Sequence, residues 1–321
     1  MAYLKCQDEV YEAANESDTV PFSWTKVILK LVVQTILNIP YHVVDFIKAY
    51  IWSPKKNIKG HVVLVSGGAN GLGRALCLRF AREGCAVAVV DVDQNGATRT
   101  VNEIRQLGVK AEAFQVDVSD VRSVRKLRKD VERSLGPVQI LVNNAALLSF
   151  ASINQGSDDE VQKLINVNLS SHFWMIRQFL PGMQQRKEGH IVAISSVLGI
   201  VPNFRTIAYS ATKFGIRGMM ASLSDELYFS GFGDKVFTTC VYPDLIATRK
   251  ELIQTVNKMG LSTQVLSPEH AANLVVDGVL RNKTDIILAS FPIRKFIKLS
   301  EFCSSRMRRI YTSCICTHPN E

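Results

Sequence analysis

Tyr209 and Lys213 stand four apart in Ala208-Tyr209-Ser210-Ala211-Thr212-Lys213-Phe214, a stretch whose composition reads as the start of a helix. That spacing puts a phenol and an ammonium on the same helix face. A phenol near its reference pKa of ~10 is a poor base at neutral pH, and bringing it to ~7 takes ~4 kcal/mol of differential stabilisation. Positive charge in a partly dry crevice can supply that. Upstream, Ser196 ends the apolar run Ile191-Val192-Ala193-Ile194-Ser195-Ser196, where a hydroxyl can hold a substrate oxygen while Tyr209 moves its proton. Asn168, in Ile165-Asn166-Val167-Asn168-Leu169, and Asn143-Asn144-Ala145-Ala146 complete a polar set. Taken singly, Tyr-x-x-x-Lys also reads as ordinary helix surface, and each asparagine or serine as a helix-interior or strand-end cap.

The elements that must position these groups are organised around Val62-Val63-Leu64-Val65-Ser66-Gly67-Gly68-Ala69-Asn70-Gly71-Leu72-Gly73. An apolar, β-branched run ends in glycines, and Arg74 to Arg82 has helical composition. Gly67, Gly71 and Gly73 carry no Cβ, and the helix start beyond them offers unpaired N–H groups, so the phosphates of a dinucleotide fit there. Asp91 closes the next apolar run, about 20 residues on, where a carboxylate reaches the adenosine ribose hydroxyls. The alternation continues, with strands predicted near His61–Ser66, Ala86–Asp91, Ala111–Val116, Val138–Asn143, His190–Ser195, Lys235–Val241 and Asp285–Leu288. Helices are predicted near Leu72–Glu83, Asn95–Leu107 and Val121–Leu135, with long helices between the later strands. Such alternation is an α/β, Rossmann-type doubly wound parallel sheet whose ligands bind beyond the strands' carboxyl ends.

These motifs together resemble the short-chain dehydrogenase/reductase superfamily over about Lys59 to Leu288. The TGxxxGxG loop appears as Ser66 to Gly73 with serine for threonine, and Asn-Asn-Ala-Gly as Asn143 to Ala146 with a final alanine. The Asn-Ser-Tyr-Lys tetrad falls on Asn168, Ser196, Tyr209 and Lys213. The resemblance implies a CH–OH oxidoreductase: Tyr209 as general base or acid, Lys213 lowering its pKa and binding nicotinamide ribose, Ser196 orienting the substrate oxygen, and Asn168 holding a relay water. It implies cofactor contacts from Ser66, Gly67, Asn70, Gly71, Leu72, Gly73, Asp91, Asp117, Val118, Asn143, Ala145, Tyr209, Lys213, Pro243 and Thr248. Asp244 stands where many members carry glycine. Asp91 favours NAD over NADP, with Arg74 the residue that could swing to a 2′-phosphate. Substrate contacts are expected from Ser196, Leu198 and Tyr209. Leu147, Leu148, Ile200, Val201, Pro202 and Phe204 are expected to give the pocket an apolar border, and Ala247 to Leu266 a lid. Seven cysteines without CxxC pairs point to free thiols and no metal site.

Three regions are expected: residues 1–58 as polar leader and membrane-anchoring segment, 59–290 as the dehydrogenase domain, and 291–321 as a basic amphipathic tail, in which Ile293, Phe296 and Ile297 suit a surface-binding or pocket-covering helix and the basic residues suit a solvated tail. Val27 to Ile51 is strongly apolar but carries Lys30, Asp45, Lys48 and a central Pro40. Lys26, Lys30, Gln34 and Asn38 draw a polar stripe, which favours a monotopic helix-break-helix anchor over a true span or an arm covering a partner. The net charge of +9 gathers beside apolar ends, at Lys55, Lys56 and Lys59 and from Arg294 to Arg309, so it reads as affinity for a membrane rather than nucleic acid. With an apolar pocket this resembles the membrane- or lipid-droplet-associated retinol and hydroxysteroid dehydrogenases. The expectation is a homo-oligomer acting on a retinoid, steroid or fatty alcohol at the endoplasmic reticulum or lipid droplet, catalytic domain toward the cytosol. A membrane or droplet scaffold with little catalysis is the competing reading.

Overall fold

A computed structural model describes residues 24–50, 53–149, 153–248, 265–300 and 307. The chain divides into two units, residues 1–53 and 54–321. The first contains helix α1 (Trp24–Tyr50), 27 residues and about 40 Å long. The break expected at Pro40 is absent, and the helix runs through it. Proline removes one hydrogen bond and crowds the preceding turn, which bends a helix without ending it when the pattern resumes on the far side. Ile28, Leu29, Val32, Val33, Ile36, Leu37 and Val43 are exposed. No helix among the described residues is long and apolar enough to cross a membrane.

The second unit is a seven-stranded parallel sheet in the order β3-β2-β1-β4-β5-β6-β7. Its strands are β1 (Val62–Ser66), β2 (Ala86–Asp91), β3 (Ala111–Gln115), β4 (Val138–Asn143), β5 (Gly189–Ile194), β6 (Val236–Pro243) and β7 (Asp285–Leu288). The helices are α2 (Gly71–Arg82), α3 (Gln94–Gln106), α4 (Val121–Ser134), α5 (Asp158–Ile165), α6 (Ser171–Arg186), α7 (Ile207–Phe229), α8 (Pro268–Leu280) and α9 (Phe291–Ser300). Strand alternation divides the core in two. Val63, Val65, Val87 and Val89 pack against α2, α3 and α8, while Leu64, Ala88, Val90 and Leu141 pack against α4, α6 and α7. Burial on both faces accounts for strands that are apolar throughout. The strand order reverses between β1 and β4, and that switch point opens the crevice at the carboxyl ends.

Of the basic cluster read as membrane-facing, Lys55 and Lys59 are exposed and Lys56 alone turns inward. Lys55 Nζ pairs with Asp277 at 2.6 Å, and Lys56 Nζ lies 2.7 Å from His190 Nδ1 and 5.0 Å from the Phe237 ring centre. Lysine's long apolar stem makes this possible, since it lets the head reach an internal acceptor while the methylenes pack. Burial pushes the Lys56 ammonium down to about 8, against an opposing pull from Glu188. His190 Nε2 in turn meets Thr239 Oγ1 at 2.7 Å, whose hydroxyl donates to Lys283 O. The segment entering the domain is thereby fastened near the amino ends of β5 and β6. Cys77, Cys85 and Cys240 are buried free thiols, as expected. The 1–23 leader, most of the expected lid (249–264), and Cys303, Cys314, Cys316, Arg306, Arg308 and Arg309 lie outside the described residues.

Candidate active site

β1 delivers the chain into the glycine turn, whose geometry excludes side chains. Gly67 has φ +68°, and a Cβ there would sit 2.9 Å from Ala145 Cα. A Cβ on Gly73 would lie 1.9 Å from Gly67 O. The turn is held from below by groups at the end of β4. Asn144 Nδ2 donates to Ser66 O at 2.9 Å and Gly67 O at 3.2 Å, and Ser66 Oγ accepts from the N–H groups of Asn144 and Ala145. Thr100 Oγ1 on α3 donates to Gly68 O at 3.1 Å. The sequence does not point to Thr100, and it gives Asn144 only as a member of the Asn143–Ala146 motif, with no bracing role. The doubled asparagine was visible, but which of the two faces the turn depends on strand register.

Above the turn lies a cavity of about 1150 Å³. Of the expected cofactor contacts, Gly67, Asn70, Gly71, Leu72, Gly73, Asp91, Asp117, Val118, Ala145, Tyr209, Lys213, Pro243 and Thr248 line it. Ser66 and Asn143 do not. Ser66 braces the turn from beneath, and both polar atoms of the buried Asn143 side chain lack a protein partner.

The cavity fits a nicotinamide dinucleotide on its own chemistry. The α2 N-terminus opens into it with no side-chain cap, leaving N–H groups for an anion. Asp91 uses its oxygens on Ala69 N–H and Asp93 N–H, both at 3.0 Å. Each oxygen keeps a lone pair for a ribose hydroxyl. Arg74, the one basic residue expected to reach a 2′-phosphate, is held by the Glu103 carboxylate, with Nε to Oε1 at 3.1 Å. Thr248 lies against Gly71, within 3.1 Å of where a Cβ would be, so the segment after β6 closes over the turn.

The reacting end is built by β5, β6 and α7. Lys213 Nζ donates to Ile194 O at 2.9 Å and lies 5.5 Å from the Tyr209 ring centre. Ser196 is the side chain that acts on the Tyr209 phenol, favouring its ionised form. Ser196 Oγ also accepts from Leu198 N–H at 3.1 Å and donates to Pro243 O at 3.4 Å. Burial pushes the Tyr209 phenol up to about 12, with Ser196 opposing, and pulls the Lys213 ammonium down to about 8. The expected depression of the phenol is therefore not a property of the protein groups alone. Desolvation outweighs the help from Ser196, and an added positive charge has to reverse it.

Asn168 is fully buried in a π-helical turn, Asn166–Ser170, between α5 and α6. Its Oδ1 accepts from Leu147 N–H at 2.7 Å and its Nδ2 donates to Leu147 O at 2.8 Å. The side chain thus clamps the loop after β4 beside the reacting groups and does not itself line the cavity.

Leu147, Leu148, Leu198, Val201, Pro202 and Phe204 border the cavity as expected. Ile200 does not; it packs against the core beside α7. Ile293, Phe296 and Ile297 also line the cavity, so the tail helix α9 covers it, the pocket-covering alternative among the readings of the tail. The 247–266 excursion is pinned at its ends, where Ile246 bridges Leu266 and Ala247 N–H donates to Leu266 O at 2.8 Å.

Comparison with known proteins agrees with this geometry. The family model for short chain dehydrogenase matches residues 61–257. The chain is 31% identical to human 17-beta-hydroxysteroid dehydrogenase 13 over 284 residues, covering 88% of this chain and 93% of that protein. It is 32% identical to mouse estradiol 17-beta-dehydrogenase 11 over 267 residues, covering 83% and 87%. Among solved structures, a metagenomic short-chain oxidoreductase in complex with NADP aligns with a TM-score of 0.62 at 26% identity, covering 73% of this chain and 98% of that one. A short-chain dehydrogenase/reductase from Burkholderia phymatum in complex with NAD shares the fold, with a TM-score of 0.70, 21% identity, and 83% and 99% coverage. The chain belongs to the short-chain dehydrogenase/reductase superfamily and is an NAD(P)-dependent oxidoreductase working between alcohol and carbonyl.

Proposed function

We propose that the chain interconverts a lipophilic alcohol and its carbonyl, preferring NAD(H), while held at a membrane or lipid-droplet surface. The observation that carries this is one cavity joining a dinucleotide cradle to an apolar chamber in which Ser196, Tyr209 and Lys213 converge. The dinucleotide supplies the hydride chemistry when bound. Ser196 Oγ hydrogen-bonds the substrate oxygen, and Tyr209 Oη takes its proton in oxidation or donates one in reduction. Lys213, fixed on Ile194 O, holds positive charge beside the phenol and donates to ribose hydroxyls. Asn168 keeps the wall at Leu147 in place, and its own π-turn backbone is the candidate holder of a relay water. Leu148, Leu198, Val201 and Phe204 exclude water from the substrate. Steroids are the first substrate class to test because the similar proteins are named as hydroxysteroid dehydrogenases; retinoids and fatty alcohols follow.

The exposed apolar residues of α1 support a monotopic anchor lying in an endoplasmic-reticulum or droplet surface, with the domain in the cytosol. Exposed Phe214, Tyr228 and Phe229 on α7 support a homo-oligomer formed through the long helices. Fluorescence titration with NADH and NADPH, then turnover of a lipid alcohol panel with Tyr209→Phe as control, tests the chemistry. Retained turnover in that variant overturns the proton-transfer role, and absence of turnover with intact NADH binding favours a scaffold. Residues 1–58 fused to a fluorescent protein should resist carbonate washing, and release into the supernatant would remove the anchor.

A further inference from the structure

Three of the carboxylates that line the cavity are partnered. Asp91 accepts from two backbone N–H groups, Asp93 caps α3 at Gly96 N–H, and Asp117 accepts from Ser119. Asp244 also lines it, and its carboxylate has no hydrogen bond or ion pair among the described residues. Burial is the single influence on this group and pushes it up to about 6. The residue itself is well fixed: it follows Pro243 at the end of β6, and its N–H donates to Leu288 O at 3.0 Å. Its φ is not positive, so the aspartate occupies this position without the backbone strain that would call for glycine.

Its place in the cavity points to what it meets. Pro243 O accepts from Ser196 Oγ, so covalent reach keeps the Asp244 carboxylate within about 10 Å of that hydroxyl. Leu245, Ile293 and Phe296 line the cavity with it. An acceptor without a partner in an apolar chamber disfavours a ligand that offers it only carbon and favours one that brings a donor.

We propose that Asp244 is a specificity-determining residue whose carboxylate accepts a hydrogen bond from a second hydroxyl of the substrate. The preferred substrates are then lipophilic diols and hydroxycarbonyl compounds, rather than molecules with one polar end. This rests on the alcohol–carbonyl reading above and names the substrate class of the same site.

The test uses the full chain with saturating NAD, a long-chain primary alcohol, and diols of equal length with the second hydroxyl stepped along the chain. One or more diols should exceed the mono-alcohol by about 10- to 100-fold in kcat/KM, the range for a hydrogen bond to a charged acceptor. That ratio should fall toward one in Asp244→Leu and be partly kept in Asp244→Asn, with circular dichroism confirming that both fold. Ligand-induced shifts in Tm, measured on the same set, report binding without turnover. No diol preference, or a preference that survives in Asp244→Leu, overturns the proposal. A weaker NADH titration in Asp244→Leu with an unchanged ratio assigns the carboxylate to the cofactor instead and equally overturns it. If the wild type turns over no lipid alcohol, the functional reading fails separately. The diol-specific Tm shift and its loss in Asp244→Leu then still decide the role of Asp244.

Discussion

Replacing Lys213 with methionine removes the cation nearest the phenol while keeping much of the buried volume. At the 5.5 Å separation of Lys213 Nζ from the Tyr209 ring centre, and an effective dielectric of about 20, an ammonium stabilises a phenolate by about 3 kcal/mol. That corresponds to about 2 pH units. Alcohol oxidation needs the deprotonated phenol, so kcat/KM rises with pH along a limb set by Tyr209 and its neighbours. In Lys213→Met the limb should move up by about 2 units, which lowers the rate at pH 7 by about 100-fold and lets it keep climbing where the wild type has levelled. The wild-type limb belongs to the phenol and ammonium as a pair, because the ammonium itself titrates near 8. The assay is oxidation of one lipid alcohol from pH 6 to 10.5 at saturating NAD, so that a lost ribose contact does not masquerade as a rate effect. A limb of unchanged position with reduced amplitude would refute the electrostatic account.

Asp91→Ser should weaken NADH binding by about 10- to 100-fold in a fluorescence titration. Gain of NADPH affinity should need Glu103→Gln as well, because Glu103 holds Arg74 away from the 2′-phosphate position. Gly73→Ala places a Cβ 1.9 Å from Gly67 O, so the turn must move; dinucleotide binding should be lost and stability should fall by at least about 1–3 kcal/mol in urea unfolding. Lys56 has a folded pKa near 8, below its unfolded value, so between about pH 8 and 10.4 the unfolded chain binds more protons and stability rises with pH. Lys56→Met should flatten that part of the Tm-against-pH curve relative to the wild type, and an unaltered slope would show that the ammonium is not buried in solution.

The sheet was legible because its strands are buried on both faces and its turns carry glycine at positions of positive φ, as at Gly67 and Gly71. Asp91, Ser196, Tyr209 and Lys213 were legible because each ends a strand or shares a helix face, and local spacing decides such positions. What the sequence could not show depends on contacts between distant segments. Lys56 looks like any surface lysine until β5 brings His190 under it. Asn143 ends β4 with its side chain unpartnered, and Asn144, one residue beyond the strand, reaches the glycine turn, a difference that the doubled asparagine does not reveal. Pro40 marks a break by composition, yet the helical pattern on both sides carries α1 through it. The cover supplied by α9 could not be chosen from composition, because a basic amphipathic helix suits a membrane surface and a cavity rim equally.

The bridge between Ile246 and Leu266 bears on how much change the stretch between them tolerates. With both ends stapled beside β6, the closure entropy of the intervening stretch changes by only about 0.6 kcal/mol for each doubling of its length. The sheet is thus nearly indifferent to what is spliced there, while the anchoring residues Leu245, Ile246 and Thr248 stay at the chamber wall. New selectivity can be installed as a cassette without refolding the machinery beneath it.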